Sequence, residues 1–330
     1  MDTKQIVFTK KCVAELLDRE IPEPAAGQVT VRTEYTAVSS GTERASLLGT
    51  AALNVPKFPC CLGYCGAGHV ARVGEGVTDL KVGDRVAVRW GFHAGYINCE
   101  RRNVLKLESG IDMRAAALFF IATFPLAAIR KCRVEAGESV MVMGQGVLGQ
   151  IAVMLLRCAG AVPVIAADPV AEKRERAIAL GADCAFDPLA ADFAEKVRAL
   201  TGGVDAAIEV TGVGAGLNET LDCMRKLGRV ALLGCTRSSD FTVDYYKKVH
   251  CPGITLIGAH TNARPQAESY SGYWTESDDM RAIMRLSSGG RIDLSRLVEE
   301  IRSPEEAPEV YKRLTESSHF PVTLFDWKKL

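Results

Sequence analysis

The chain lacks an excess of either charge: 40 lysines and arginines face 40 aspartates and glutamates across 330 residues. Such balance advertises neither nucleic acid nor an anionic membrane surface as a partner. Long apolar runs are missing too. The longest, residues 115–129, is too short to span a bilayer and contains Pro125, so it reads as a buried helix between domains. The opening Met-Asp-Thr-Lys-Gln-Ile-Val-Phe has no apolar core of the kind a secretory signal needs. Internal repeats and low-complexity tracts are absent. Cys60, Cys61 and Cys65 cluster without forming a Cys-x-x-Cys pair, and the next cysteine is Cys99. Eleven cysteines without an export signal indicate reduced thiols and a cytoplasmic location, most of them small buried hydrophobes. That reading argues against a disulfide framework or a structural metal site.

What is present is concentrated in residues 139–173. An apolar stretch leads into Gly144-Gln-Gly-Val-Leu-Gly, then an apolar helical segment, a second β-rich stretch and Asp168. This order is the context a dinucleotide-binding turn requires. Gly144 lets the chain turn off the strand, Gly146 admits a pyrophosphate to the backbone, and Gly149 lets the helix lie on the sheet. The helix N-terminus, with Val147 and Leu148 in its first turn, offers N–H groups to the phosphates. Asp168, 19 residues past Gly149, stands where a carboxylate accepts both ribose hydroxyls. Together these residues read as an NAD site.

The length accommodates two domains. Residues 29–36, 69–73, 85–88 and 104–107 are short β-rich runs set among Gly and Pro, the pattern of an antiparallel, barrel-like body. Gly74-Glu-Gly-Val and Lys81-Val-Gly-Asp-Arg-Val mark tight turns within it. From about residue 121 to 259 strands alternate with amphipathic helices, which implies a parallel sheet. Residues 139–143, 162–167, 184–186, 206–210, 229–233 and 255–257 supply six strands of a doubly wound sheet. Leu148, Ile151, Ala152 and Leu155 share the helix face that packs on it. Two helical segments, 278–287 and 304–315, and a terminal strand, 321–325, have too little apolar surface to fold alone. They are expected to rejoin the first domain, dividing the chain into 1–121 with 260–330 and a central 122–259.

These features together resemble the medium-chain dehydrogenase/reductase superfamily, the zinc alcohol dehydrogenase-like proteins. The likeness rests on Gly74-Glu-Gly-Val, Gly83-Asp-Arg-Val, the glycine triplet, Val204-Asp-Ala-Ala-Ile-Glu and Gly228-Arg-Val, and spans essentially the whole chain. It implies an α/β protein with a GroES-like β-barrel catalytic domain and a Rossmann domain, acting as an NAD-dependent oxidoreductase on a small-molecule substrate. It also implies a homo-oligomer, dimer or tetramer, and adds Lys173 as a contact to the adenosine ribose. Asp168 repels a 2′-phosphate, which favours NAD over NADP; Arg174 tempers this only slightly.

Relatives with catalytic zinc carry Cys-x-Thr-Asp, then Gly-His-Glu, then a Cys or Glu ahead of the glycine triplet. Here the corresponding residues are Ser40-Gly-Thr42-Glu43, Gly63-Tyr64-Cys65 and Phe120. Hydroxyls are poor zinc ligands at neutral pH and Phe offers no donor. The four-cysteine structural lobe is missing as well, since Gly95-Tyr96 runs directly to Asn103-Val-Leu-Lys-Leu. The resemblance therefore implies a zinc-free member, with no metal ligands.

Without a Lewis acid, positioned acid–base groups must polarise a carbonyl or take an alcohol proton. By the resemblance Tyr64 and Ser40 face the nicotinamide. Tyr64 either donates a proton, directly or through Ser40 or Thr42, or merely fills the space of the metal; an ordinary pKa near 10 makes it a weak base. Glu43 is expected to anchor structure through an ion pair. His260, after the last strand of the parallel sheet, is the histidine best placed to titrate in the working range, with His93 and His250 structural or superficial. Residues 264–276 offer Tyr270, Tyr273 and Trp274 as an aromatic platform, and Arg264, Gln266 and Glu268 as hydrogen-bonding groups. That mixture suits a sugar, polyol or cyclitol, or alternatively a dimer contact. The Ser-Gly-Thr-Glu variant resembles a subgroup with sugar-oxidising members and a bacteriochlorophyllide dehydrogenase. The expected reaction is hydride transfer between NAD and a secondary alcohol or ketone. The alternatives are a zinc-free quinone or enone reductase, and a non-catalytic NAD-binding sensor.

Overall fold

In the computed structural model, which describes residues 1–51, 56–239, 241–317 and 319–330, the chain opens on a hairpin of β1 (Asp2–Lys10) and β2 (Val13–Glu20). There follow β3 (Gln28–Ala37), α1 (Ser40–Leu48), β4 (Cys65–Val73), β5 (Arg85–Arg89), β6 (Tyr96–Glu100), β7 (Val104–Lys106) and α2 (Met113–Ala116). The four anticipated β-rich runs fall on β3, β4, β5 and β7. The apolar run 115–129 is helical and buried almost throughout, as part of α2 and of α3 (Phe119–Lys131).

Next come β8 (Val140–Met143), α4 (Val147–Ala159), β9 (Val164–Ala167), α5 (Ala171–Ala179), β10 (Cys184–Phe186), α6 (Phe193–Thr201), β11 (Val204–Glu209), α7 (Gly214–Cys223), β12 (Met224–Leu232) and β13 (Thr255–Gly258). All six strands are parallel, in the order β10-β9-β8-β11-β12-β13, the doubly wound arrangement anticipated. Every residue of β8 and β9 is buried, as helices on both faces of a parallel sheet require. On α4 Ile151, Ala152 and Leu155 are buried, and Gly160 ends the helix in a left-handed turn.

The tail forms α8 (Glu276–Ser288), β14 (Glu300–Arg302), α9 (Ala307–Glu316) and β15 (Thr323–Asp326). β15 pairs antiparallel with β3, extending a sheet ordered β14-β15-β3-β4-β5-β7, with β6 also on β3. The chain thus divides into Met1–Ile121 with Met280–Leu330, and Ala122–Asp279. The anticipated return at residue 260 therefore comes later, after Asp279. The reason is that segment 260–279 is tied to α3: the Asp279 carboxylate pairs with Arg130 at 3.0 Å and Arg264 at 3.5 Å, and Arg264 donates to the Thr123 carbonyl at 2.6 Å.

In the first unit Ile6, Phe8, Leu47, Tyr311, Leu314 and Phe325 pack as one core and Val29, Val31, Val70, Val86 and Val88 as another. In the second, Met141, Met143, Ile165, Ala207 and Val230 fill the core. All eleven cysteines are free thiols. Among the described residues no helix is long and apolar enough to cross a membrane.

Candidate functional site

In the second unit the strand order reverses between β8 and β11, and sheets of this type bind ligands beyond the carboxyl ends of the strands at that point. β8 runs into Gly144 at φ 97°, a left-handed conformation that favours glycine. α4 begins at once with Gly146 as its N-cap, so the N–H groups of Val147, Leu148 and Gly149 have no carbonyl four residues back within the helix. A Cβ on Gly149 would stand 1.9 Å from the Gly144 carbonyl oxygen, whereas one on Gly146 would meet nothing within 4 Å. The helix therefore closes on the turn while the space beside Gly146 stays open.

Asp168 follows β9 and is 5% exposed. Its Oδ2 accepts from the Gln145 N–H at 2.8 Å and its Oδ1 from the Val170 N–H at 2.9 Å. The carboxylate thus ties the end of β9 to the glycine turn, with lone pairs to spare on each oxygen. Arg174 donates to the carbonyls of Asp168 and Pro169 at 2.7 and 2.9 Å, and Lys173 is half-buried next to it on α5. Glu209, at the end of β11, accepts from the Thr211 and Gly212 N–H groups at 2.8 and 3.1 Å; burial raises its pKa.

In the first unit a second cluster gathers around Tyr64. Its ring keeps some exposed surface, but its hydroxyl is crowded by protein and lies 2.5 Å from Ser39 Oγ, with a further hydrogen bond to Thr42. Burial, and after it the neighbouring Cys65 and Glu43, lifts the phenol far above its ordinary value; the bonds to Ser39 and Thr42 offset this only in part. Burial therefore favours the neutral hydroxyl over the phenolate. The serine that bonds it is Ser39, one residue before the one anticipated; Ser40 is the first residue of α1 and half-buried. Phe120 meets the Tyr64 ring edge-on at 5.8 Å, and Trp90 lies 5.9 Å from Tyr64 and 5.0 Å from Phe120. Trp90 is 48% exposed and held at φ 58°, an uncommon conformation for a bulky side chain.

Glu43 is 1% exposed and accepts from the Ser39 N–H at 2.8 Å and the Tyr311 hydroxyl at 2.7 Å, with His93 Nε2 at 3.3 Å. Glu43 was expected to anchor structure through an ion pair; it is held by hydrogen bonds, with His93, itself wholly buried, among its partners. Sequence reasoning did not find Ser39 or Tyr311. A second serine beside Ser40 was the only local signal for the first, and none exists for the second.

The remaining candidates belong to the second unit. His260 is half-buried, its Nδ1 accepting from the Asn262 N–H at 3.1 Å, which leaves the proton on Nε2. Arg264 was expected to face a substrate; instead its side chain is 2% exposed and committed to Asp279 and the Thr123 carbonyl. Desolvation otherwise penalises an unpaired guanidinium there. Tyr270, 60% exposed, stacks on Tyr273 at 5.2 Å, whereas Trp274 receives the Arg130 guanidinium 3.6 Å from its ring centre.

A β-rich GroES-like unit and a Rossmann unit in one chain make up the architecture of alcohol dehydrogenase-like oxidoreductases. Residues 25–116 match the alcohol dehydrogenase GroES-like domain, and residues 147–276 match the zinc-binding dehydrogenase family. The chain belongs to the medium-chain dehydrogenase/reductase superfamily, in its zinc alcohol dehydrogenase-like group. It is similar to D-guloside 3-dehydrogenase of Escherichia coli K12, 24% identical over 338 residues that cover 93% of this chain and 95% of the relative. A structure named as a short chain alcohol dehydrogenase from E. coli CFT073, complexed with NADH, superposes with TM-score 0.85 at 20% identity, covering 98% of this chain and 99% of that one. One named as a zinc-binding dehydrogenase from Sinorhizobium meliloti 1021, bound to NADP, gives TM-score 0.85 at 22% identity over 99% of both chains. At these identities the structural likeness is one of fold.

A zinc ion does not fit the donor set around Tyr64. Two hydroxyl side chains, a phenol and the Phe120 ring supply no anionic or imidazole ligand, and the nearby Glu43 carboxylate and His93 imidazole are engaged with Ser39, Tyr311 and Thr36. The adjacent Cys65 thiol is buried, and that burial raises its pKa well above the ordinary value. Among the described residues no three His, Cys, Asp or Glu side chains are grouped to hold a metal.

Proposed function

We propose that this chain is a zinc-independent, NAD-dependent dehydrogenase that passes hydride between the nicotinamide and a secondary alcohol or ketone of a sugar, polyol or cyclitol. The observation that carries the reading is the Tyr64 hydroxyl, kept protonated by burial and aligned by Ser39 and Thr42. Bound nicotinamide would supply or accept the hydride. Tyr64 donates a hydrogen bond to the substrate oxygen as negative charge develops there, stabilising the transition state more than the ground state. A phenol this hard to ionise donates a hydrogen bond and neither releases its proton nor acts as a base. In alcohol oxidation the same bond would stabilise negative charge on the substrate oxygen while the alcohol proton leaves to water and the hydride to the nicotinamide.

The coenzyme reading rests on Gly144, Gly146, Val147, Leu148 and Gly149 for the pyrophosphate and on Asp168, with Lys173, for the adenosine ribose. Backbone N–H groups bond both Asp168 oxygens and fix the carboxylate in place, where its charge repels a 2′-phosphate. Arg174, tied to two carbonyls, has fewer donors left to attract one. The substrate class draws on relatives named D-guloside 3-dehydrogenase and sorbitol dehydrogenase, and on the neutral hydroxyl donors of Tyr64, Ser39 and Thr42. Eleven free thiols support a reducing, cytoplasmic location. β13 is an outer strand, and Leu256 on it, 39% exposed, and Leu227 on β12, 79% exposed, offer apolar surface that supports a homo-oligomer.

The test is a panel of sugars, polyols, cyclitols and ketones assayed with both coenzymes, with elemental analysis of the same sample. NADH formation from a polyhydroxylated substrate, indifferent to chelators, is expected. Conversion restricted to conjugated enones with NADPH would replace this reading, and so would one zinc per subunit whose removal abolishes activity. Coenzyme binding without turnover of any compound would leave a sensor.

A further inference from the structure

We infer that Tyr311 and His93 are positioning residues for Tyr64, acting through Glu43 and Ser39; the inference rests on the reading of Tyr64 as the donor. Ser39 occupies the N-cap of α1, where a serine hydroxyl ordinarily accepts from the helix N–H groups and contributes about 1 kcal/mol. Here no side-chain capping bond forms, and the hydroxyl lies against Tyr64 Oη at 2.5 Å. The orientation of Tyr64 therefore depends on what fixes the Ser39 backbone. Its N–H donates to Glu43 Oε1 at 2.8 Å and its carbonyl accepts the Glu43 N–H at 2.9 Å.

Glu43 is in turn held from two other segments. A carboxylate 1% exposed is tolerated only with donors around it. The Tyr311 hydroxyl donates to Oε2 at 2.7 Å, from an α9 residue whose ring packs edge-on against Phe8 at 4.7 Å. His93 stands on the other side, Nε2 at 3.3 Å from Oε1, with Nδ1 2.7 Å from Thr36 Oγ1. Thr36 Oγ1 also accepts the Trp327 indole N–H at 3.0 Å. Because the indole only donates, the Thr36 proton is available to Nδ1, which leaves the His93 proton on Nε2, facing Glu43. His93, after β5, and Tyr311, on α9, thus bond directly to the one carboxylate that anchors the first turn of α1, while Thr36 of β3 and Trp327 near the C-terminus act on it through His93. A displacement of the reacting groups by about 1 Å costs on the order of 100-fold in rate, so partial loosening is felt in turnover.

Tyr311→Phe deletes one hydroxyl and keeps the ring. It is expected to lower kcat about tenfold, with KM for coenzyme and substrate unchanged. Leu314→Ala, in the same core but remote from Glu43 in role, is expected to lose more thermal stability while keeping kcat. His93→Gln, which retains a donor toward Glu43, is expected to keep more activity than His93→Leu. Wild-type kcat in Tyr311→Phe, or an equal loss in Leu314→Ala, overturns the inference. Turnover lost in Tyr64→Phe but kept in Tyr311→Phe overturns positioning alone, whereas full turnover in Tyr64→Phe overturns the reading of the donor beneath it.

Discussion

Replacing Tyr64 by Phe removes one oxygen and leaves the ring against Phe120 and Trp90, at 5.8 and 5.9 Å. Three things go with that oxygen: the bond to Ser39, whose hydroxyl then turns to water or to its own helix, the bond to Thr42, and the bond to the substrate. A hydrogen bond to a partner carrying charge contributes about 1.5–3 kcal/mol. At about 1.36 kcal/mol per factor of ten, kcat/KM should fall roughly 10- to 150-fold. NADH affinity should not change, because the glycine turn and Asp168 belong to the other unit. Initial rates followed by NADH absorbance, in both directions, together with a fluorescence titration of NADH, separate the two. The raised phenol pKa adds a pH arm. The folded value exceeds the unfolded one near 10, so the neutral hydroxyl's contribution to stability is fully present below about pH 10 and fades as pH rises beyond it. The rate should accordingly show no alkaline limb from Tyr64 below about pH 10. Unchanged turnover in the Phe variant would remove Tyr64 from the chemistry. A basic limb between about pH 7 and 8 that vanishes in the variant would show an ionised phenol acting as a base, and refute the argument by the opposite route.

Three further outcomes follow from named contacts. Asp168→Gly should weaken NADH binding and relax discrimination against NADPH by roughly tenfold, since a fixed negative charge is removed; an unaltered ratio of the two KM values would undo the coenzyme assignment. Gly149→Ala places a methyl 1.9 Å from a backbone oxygen that cannot retreat, so loss of NADH binding and about 1–3 kcal/mol of stability is expected in titration and thermal melts; retained binding would mean the turn can open. Glu300 lies 2.7 Å from Arg313 and 3.2 Å from Arg302, chiefly the former holding its carboxyl down at about 2. A depressed carboxyl stabilises the fold above its unfolded value and loses that contribution as pH falls through about 2. With its side chain partly exposed, Glu300→Gln should cost on the order of 1–2 kcal/mol in urea titrations at pH 7. A deficit as large at pH 2 as at pH 7 would contradict the assignment.

The parallel sheet was legible because its strands are short apolar runs set off by glycine turns: β8 and β9 are buried at every position, and β10 is only three residues long yet falls where anticipated. The first unit was less so. β2 carries Glu15, Asp18, Arg19 and Glu20 and leaves most of them exposed, so no two-residue alternation marks it as a strand. α1 follows Ser39 and opens on Ser40-Gly41, a poor helical start on propensity, and is held by Glu43 and by packing of Leu47 against α9 residues. In the site, Tyr64, Thr42 and Phe120 emerged from spacing against a family pattern, but Ser39 did not, because the pattern marks the position of a ligand and not the rotation of a helix start.

Unaided, the order of residues settled where the backbone must turn and which stretches are buried, since both are encoded within a few neighbours: Gly144, Gly149 and the apolar runs around them carry their own conformational and solvation preferences. It did not settle the chemical state of Tyr64, the structural role of Arg264 or the convergence on Glu43. Those depend on desolvation and on partners as distant as Tyr311, 268 residues along the chain from the carboxylate it bonds. Hydrogen bonds of that kind exist only once folding has brought the groups together and taken the water away.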